Sequence, residues 1–248
     1  MRTITEVDLR WLRGLGNRKE TARQRIYTFH HAGGSASAYL WRKFFPEEIE
    51  VCAVQLPGRE TRFLEAPITR LFAVVDELAP VIESTVDLPF AFFGHSMGAL
   101  VAFNVARRLE EVGAPLPSRL FLSAHRAPHL PDRDPIHGLP DDEFLARLGD
   151  TRLASLDPEL REIFLPIMRT DIAICETYRH EPAAALPVPI TVYGGSADDR
   201  VDVAELYAWE PHTADRFDAR VFPGGHFYQR GSEQVLADHI SAKLRGVN

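Results

Sequence analysis

A serine with glycines two positions away on each side, Gly94-His95-Ser96-Met97-Gly98, is the sharpest chemical signal in the sequence. A serine hydroxyl is a weak nucleophile at neutral pH. It needs a base, and the base needs a group that orients it. The pentapeptide follows the apolar run Phe90–Phe93 and precedes the helical pattern Ala99–Leu109. A strand–turn–helix elbow at that place holds its central residue in a strained conformation and pushes the hydroxyl outward. The glycines let strand and helix approach closely around the turn. The bland reading, a turn serine without chemistry, leaves this placement unexplained.

The base is expected at His226, within Phe222-Pro223-Gly224-Gly225-His226-Phe227, just past the last strand pattern and before the last helix. A neutral imidazole there accepts the serine proton and later returns it to a leaving group. In sheets of this kind the order along the chain is serine, then acid, then histidine. The acid should follow the penultimate strand, where Asp198, Asp199 and Asp202 compete. Asp198 is favoured because Val201, three residues on, can anchor the following turn to the core. Asp199 then reads as a solvated neighbour and Asp202 as the N-cap of a helix from Val203. Two backbone donors are needed for a developing oxyanion. The N–H of Met97, next after the nucleophile, is one. The other is placed at Ala32, in the glycine-containing loop His30-His31-Ala32-Gly33-Gly34-Ser35. A phosphate-cradling loop is the competing reading, but neither G-x-x-x-x-G-K-[ST] nor G-x-G-x-x-G after a strand occurs. His30 and His31 raise the question of a metal. Adjacent histidines on a strand point to opposite faces, so a hydrogen-bonded structural role is expected instead.

The elements that must position these residues alternate. Ile26–His30, Val51–Leu56, Phe90–Gly94, Leu120–Ser123, Pro189–Tyr193 and Ala219–Phe222 are short and almost wholly apolar. That is the pattern of parallel strands covered on both faces. Leu71, Val74, Val75, Leu78, Val81 and Ile82 recur at helical spacing, as do Leu100, Val101, Val105 and Leu109, with Gly113 as a stop. Val203, Leu206 and Tyr207 begin another helix, and Val235, Leu236, His239, Ile240 and Leu244 form the last. The expected fold class is therefore α/β, a doubly wound, mostly parallel sheet with helices on both faces. From about residue 126 to 182 no strand appears, only helical patterns at Asp141–Leu148 and Pro158–Tyr178. That is too long for a plain connection, and it follows a strand end, where such sheets place their sites. It is expected to be a lid over the pocket.

Composition narrows the partners. The 248 residues are 45% hydrophobic and 25% charged, which excludes fibrous and disordered classes. A net charge of −7 argues against nucleic acid or an anionic membrane. Cys52 and Cys175 make a disulfide framework improbable in so large a chain. The charged first 25 residues carry no secretory core, and no run approaches the roughly 18 apolar residues of a membrane span. A cytoplasmic protein is expected.

The motifs together resemble the type II thioesterases of polyketide and nonribosomal peptide synthesis. The resemblance rests on His31-Ala32-Gly33-Gly34-Ser35-Ala36-Ser37, Gln55-Leu56-Pro57-Gly58-Arg59-Glu60, the Ser96 pentapeptide, and Thr177-Tyr178-Arg179-His180. Gly195-x-x-Asp198-x-x-Val201, Trp209 with Thr213, and Phe222 to Phe227 complete it. It runs in order from about Ile26 to Leu244, and it departs at His30, where the family often has proline. It implies an α/β-hydrolase fold with a helical lid and a triad of Ser96, Asp198 and His226, with oxyanion donors at Ala32 and Met97. It also implies removal of stray acyl groups from the phosphopantetheine arm of acyl or peptidyl carrier proteins. No metal and no bound cofactor is implied. Residues 1–25 are read as an N-terminal extension and 26–248 as one domain, with the lid at about 126–182, acting as a monomer. A chain without a fused carrier domain favours editing over chain termination. A chain-terminating thioesterase, a small-ester esterase and a non-enzymatic binding protein on the same scaffold are the alternatives. Phe144, Leu148, Leu165 and Met168 are candidates to line an acyl chamber. Arg59, Arg62, Arg126, Arg133 and Arg230 are candidates to meet an acidic carrier protein.

Overall fold

Strands that are apolar on both faces demand cover on both faces, and the computed structural model shows that cover for all of the expected strands but the last, Phe217–Phe222, which is half-buried at the edge of the sheet. The structure describes residues 5–17, 20–131, 134–148, 153 and 155–246. In chain order the elements are α1 (Glu6–Trp11), β1 (Leu12–Arg13), β2 (Gln24–Phe29), β3 (Ile49–Val54), α2 (Leu71–Thr85), β4 (Phe90–His95) and α3 (Met97–Glu111). There follow β5 (Leu120–Ser123), α4 (Asp141–Leu148), α5 (Pro158–Glu176), β6 (Ile190–Gly195), α6 (Val203–Tyr207), β7 (Phe217–Phe222) and α7 (Glu233–Leu244).

The strands form one sheet in the order β1-β3-β2-β4-β5-β6-β7. Among the described residues only β1 runs antiparallel, pairing Leu12 with Val54 and Arg13 with Ala53. The six expected strands are all present, and the expected α/β-hydrolase architecture is the observed one. Alternation along them splits the core into two layers. Tyr27, Phe29 and Phe92 pack under α2 and α3. Ile26, Val51, Ala91, Phe93 and Phe121 face the other way, against α7 and the aromatic rings of Tyr39, Trp41 and Phe45.

Two elements were not legible in the sequence. Residues 6–13 add a short helix and an edge strand to the sheet. Thr5 begins α1 with a reciprocal cap: its Oγ1 accepts from the Asp8 N–H at 3.2 Å, and its own N–H donates to Asp8 Oδ2 at 2.8 Å. A strand of two residues has no period to read.

The chain winds outward from β2 to β3 and then returns across β2 to β4. Such a reversal opens a crevice at the strand C-termini. The loop after β2 and the turn after β4 border it, and the long connection from β5 to β6 passes over this end. That connection holds α4 and α5 at the expected places. Asp157 caps α5 by accepting from the Glu159 N–H at 3.0 Å, with Pro158 at the first helical position. It has its own small core of Phe144, Leu145, Leu148, Leu153 and Leu165. Among the described residues no helix is long and apolar enough to cross a membrane.

Candidate active site

Ser96 joins β4 to α3 at φ 55°, ψ −123°, a left-handed conformation that a non-glycine residue adopts only under constraint. The constraint is close packing. A Cβ on Gly94 would lie 2.1 Å from the Gly98 carbonyl oxygen, so strand and helix share one tight corner. The Ser96 N–H donates to the Ser123 carbonyl at 2.7 Å, tying the corner to β5.

His226 follows β7, and its Nε2 lies 3.0 Å from Ser96 Oγ. Its Nδ1 lies 2.9 Å from Oδ2 of Asp198, which follows β6. With Nδ1–H donating to Asp198, Nε2 is free to accept the Ser96 proton. The Asp198 side chain is 1% exposed, and its Oδ1 accepts from the N–H groups of Arg200 (2.9 Å) and Val201 (3.3 Å). Burial pushes this carboxyl up. The hydrogen bond and charge of His226 and the two backbone donors outweigh it and hold the carboxyl below its ordinary value. Asp199 is exposed. Asp202 precedes α6, and its N–H donates to Glu205 Oε2 at 2.8 Å.

Behind His226 the site is packed with rings. His95 is fully buried, with Nδ1 2.8 Å from Ser123 Oγ, which lies 2.6 Å from the Tyr228 hydroxyl. The His95 and His226 ring centroids are 5.3 Å apart. Burial, then the neighbouring His226 and His31, drive the His95 pKa well down. His30 and His31 have separate partners: His30 Nδ1 lies 2.9 Å from the His31 carbonyl, and His31 Nδ1 lies 2.9 Å from the Tyr39 hydroxyl. Among the described residues no group of three or more His, Cys, Asp or Glu could hold a metal ion.

Ala32, Ser96 and His226 line one cavity of about 380 Å³. Met97 opens α3, so its N–H has no acceptor within the helix. The β5–β6 connection supplies much of the cavity wall, including Ile136, Leu148, Ile172 and Cys175. A larger cavity of about 550 Å³ lies alongside and shares His125, Arg126, Cys175 and Glu176 with the first.

Of the four chamber candidates, Leu148 lines the Ser96 cavity. Phe144 and Leu165 do not; they are buried in the insertion's own core. Met168 packs on the loop after β2, its Cε 2.3 Å from where a Gly33 Cβ would stand. The arginines divide as well. Arg59 and Arg62 are buried and unavailable to a partner. Arg59 forks onto Asp171, and Arg62 pairs with Glu65 at 2.7 Å under the Trp11 ring. Arg126 is half-buried and lines both cavities. Arg230 is exposed and stacks on Phe227, 3.9 Å from its ring centroid. Arg133 lies outside the described residues.

Sequence reasoning missed Asp171. It sits on α5 between Ile167 and Ile174, four and three residues away, on the stripe that faces inward. A charged residue on a buried helical stripe was the available signal.

Comparison with known proteins gives one family. The thioesterase domain model matches residues 24–244. The gramicidin S biosynthesis protein GrsT of Aneurinibacillus migulanus is 38% identical over 235 residues, covering 92% of each chain. Thioesterase PikA5 of Streptomyces venezuelae is 39% identical, covering 89% of this chain and 80% of its own. Among solved structures, the type II thioesterase BorB of the borrelidin cluster superposes with a TM-score of 0.82 at 35% identity over 98% of both chains. RedJ, the thioesterase of the prodiginine pathway in Streptomyces coelicolor, gives 0.82 at 35% identity, covering 89% of this chain and 85% of its own.

Proposed function

The chain belongs to the thioesterase domain family, and on that premise we propose that it is an editing thioesterase. It hydrolyses aberrant acyl groups from the phosphopantetheine arm of carrier proteins in polyketide or nonribosomal peptide synthesis, acting as a monomer in the cytoplasm. The observation that carries the chemistry is the hydrogen-bonded chain Ser96–His226–Asp198, whose first two members line a cavity. The relatives in gramicidin, borrelidin and prodiginine biosynthesis support the choice of substrate.

Ser96 Oγ attacks the thioester carbonyl carbon while His226 Nε2 takes its proton. The oxyanion that forms is held by the N–H groups of Ala32 and Met97. Collapse breaks the C–S bond, and His226 returns the proton to the departing thiolate. Water, deprotonated by the same imidazole, then attacks the acyl-enzyme carbonyl; collapse breaks the Ser96 Oγ–carbon bond, His226 returns the proton to Oγ, and the carboxylic acid leaves. Asp198 holds the His226 ring in one tautomer throughout. Two adjoining cavities suit a substrate with an acyl arm and a pantetheine arm on one carbonyl. The insertion between β5 and β6 serves as the lid, and of the described candidate arginines Arg126 and Arg230 meet the acidic carrier, which their partial or full exposure supports.

The test is hydrolysis of acyl-pantetheine and acyl-carrier thioesters beside p-nitrophenyl esters, with and without Ser96→Ala. The wild-type protein should favour the thioesters and label with a fluorophosphonate. Ser96→Ala should lose at least about 10³-fold in rate and all labelling. Retained activity in Ser96→Ala, or a preference for the small esters, overturns the reading.

A further inference from the structure

Asp171 lies mid-way along α5 with no exposed surface. Its Oδ2 accepts from the Gly33 N–H at 2.7 Å and from Arg59 Nη1 at 2.6 Å, and its Oδ1 accepts from Arg59 Nη2 at 3.0 Å. Arg59 also donates to the Gly34 carbonyl at 3.3 Å and, through Nε, to the Pro57 carbonyl at 3.2 Å. One carboxylate on the insertion thus holds the loop after β2 from two sides, directly and through a bidentate arginine.

The bond to Gly33 bears on the residue before it. The Gly33 N–H belongs to the Ala32–Gly33 peptide, so anchoring it fixes ψ of Ala32. The Gly34 N–H closes a turn onto the His31 carbonyl at 2.9 Å. Between these two bonds the His31–Ala32 peptide, which carries the Ala32 N–H, has little freedom left. Packing alone does not call for a charged pair here, because apolar residues of similar volume fill such a space as well or better. What the pair adds is direction.

We infer that Asp171, oriented by Arg59, is a positioning residue for the Ala32 oxyanion donor, so that the insertion helix and not the sheet alone sets the transition-state geometry. The inference rests on the proposed thioester hydrolysis at Ser96. An oxyanion donor acts on the transition state and not on the bound thioester, so its misplacement lowers kcat and leaves KM nearly unchanged.

The experiment uses Asp171→Asn and the double variant Arg59→Met/Asp171→Leu, which removes both buried charges together and leaves neither unpaired. Each is measured for kcat and KM on an acyl-pantetheine thioester. Each is also measured for affinity toward a trifluoromethyl ketone analogue, which forms an oxyanion on Ser96, and toward a thioether analogue, which forms none. Both variants should lose about 10²-fold in kcat and a similar factor in ketone affinity, with KM and thioether affinity within about threefold of wild type. A folded variant with wild-type kcat, equal losses for ketone and thioether, or unfolding of both variants makes the pair a structural support only and overturns the inference. If the wild-type protein itself binds the ketone no better than the thioether, the reading of Ser96 is what fails.

Discussion

A Cβ on Gly98 would lie 2.2 Å from the Phe29 carbonyl oxygen and 2.7 Å from that of His30, so the first turn of α3 rests directly on the end of β2. Both neighbours are backbone, which cannot swing aside as a side chain does. Gly98→Ala must therefore push α3 away from the sheet and carry Ser96 with it. Overpacking of this kind costs about 1–3 kcal/mol, and a misplacement near 1 Å costs about 10²-fold in rate. Gly113, at φ +70° with nothing within 4 Å, is the control. Gly113→Ala pays only the left-handed penalty of roughly 1–2 kcal/mol and should keep full activity. Urea unfolding beside thioester hydrolysis separates the two. Full activity in Gly98→Ala would show that the corner tolerates displacement.

Asp198 and Asp199 are adjacent in sequence and opposite in environment, one buried against His226 and the other in solvent. Asp198→Asn should keep the fold and lose about 10³–10⁴-fold in kcat, because an amide leaves the imidazole in the wrong tautomer. Asp199→Asn should stay within about twofold, as expected of an exposed charge. A reversed ranking would transfer the orienting role to Asp199.

Phe144 and Leu148 share the insertion's core, but only Leu148 also reaches the Ser96 cavity. Phe144→Ala should cost about 3–5 kcal/mol with acyl-chain preference unchanged. Leu148→Ala should lengthen the preferred acyl chain, because it removes side-chain volume from the cavity wall. Melting curves beside a panel of acyl-pantetheine thioesters of increasing length decide. An unchanged preference in Leu148→Ala removes this residue from the acyl path.

The sheet was legible because β2 to β6 are buried on both faces and bounded by turn residues, as in Phe90–His95 before the glycine-flanked Ser96. The neighbourhood of Ser96, Asp198 and His226 was legible for a related reason: each follows a strand, and parallel strands gather their C-terminal ends at one edge of the sheet. What failed depended on contacts distant in sequence. An isolated arginine reads as solvated, yet Arg59 is buried by a carboxylate 112 residues away. Arg62 is covered by Trp11, on a helix too short to leave a periodic trace. Phe144 and Leu165 lie in segments with a helical pattern, but such a pattern does not say which inside an apolar side chain meets. Here it is the insertion's own core and not the cavity.

His30 gives the fold an acid limit. Burial, and then the nearby Arg59 charge, push its pKa down to about 3 against the weaker pull of the His31 carbonyl. His95 is driven the same way by burial. A histidine held neutral in the fold but free to charge in the unfolded chain makes the unfolded state bind more protons below about pH 6.5. Its stabilising effect is whole above that pH and is lost as pH falls, for His30 down to about 3. Each such histidine approaches a slope of about 1.4 kcal/mol per pH unit. Carboxylates held below their ordinary value, Asp198 and Glu65 among them, act mainly below about pH 5, so the window from pH 5 to 6.5 belongs to the histidines. Unfolding free energy from urea titrations should fall steadily across that window in the wild-type protein. In His30→Gln the slope should be smaller by about one proton, whatever the variant does to stability at pH 7.5. Equal slopes in the two proteins would mean that His30 takes up its proton without unfolding the chain.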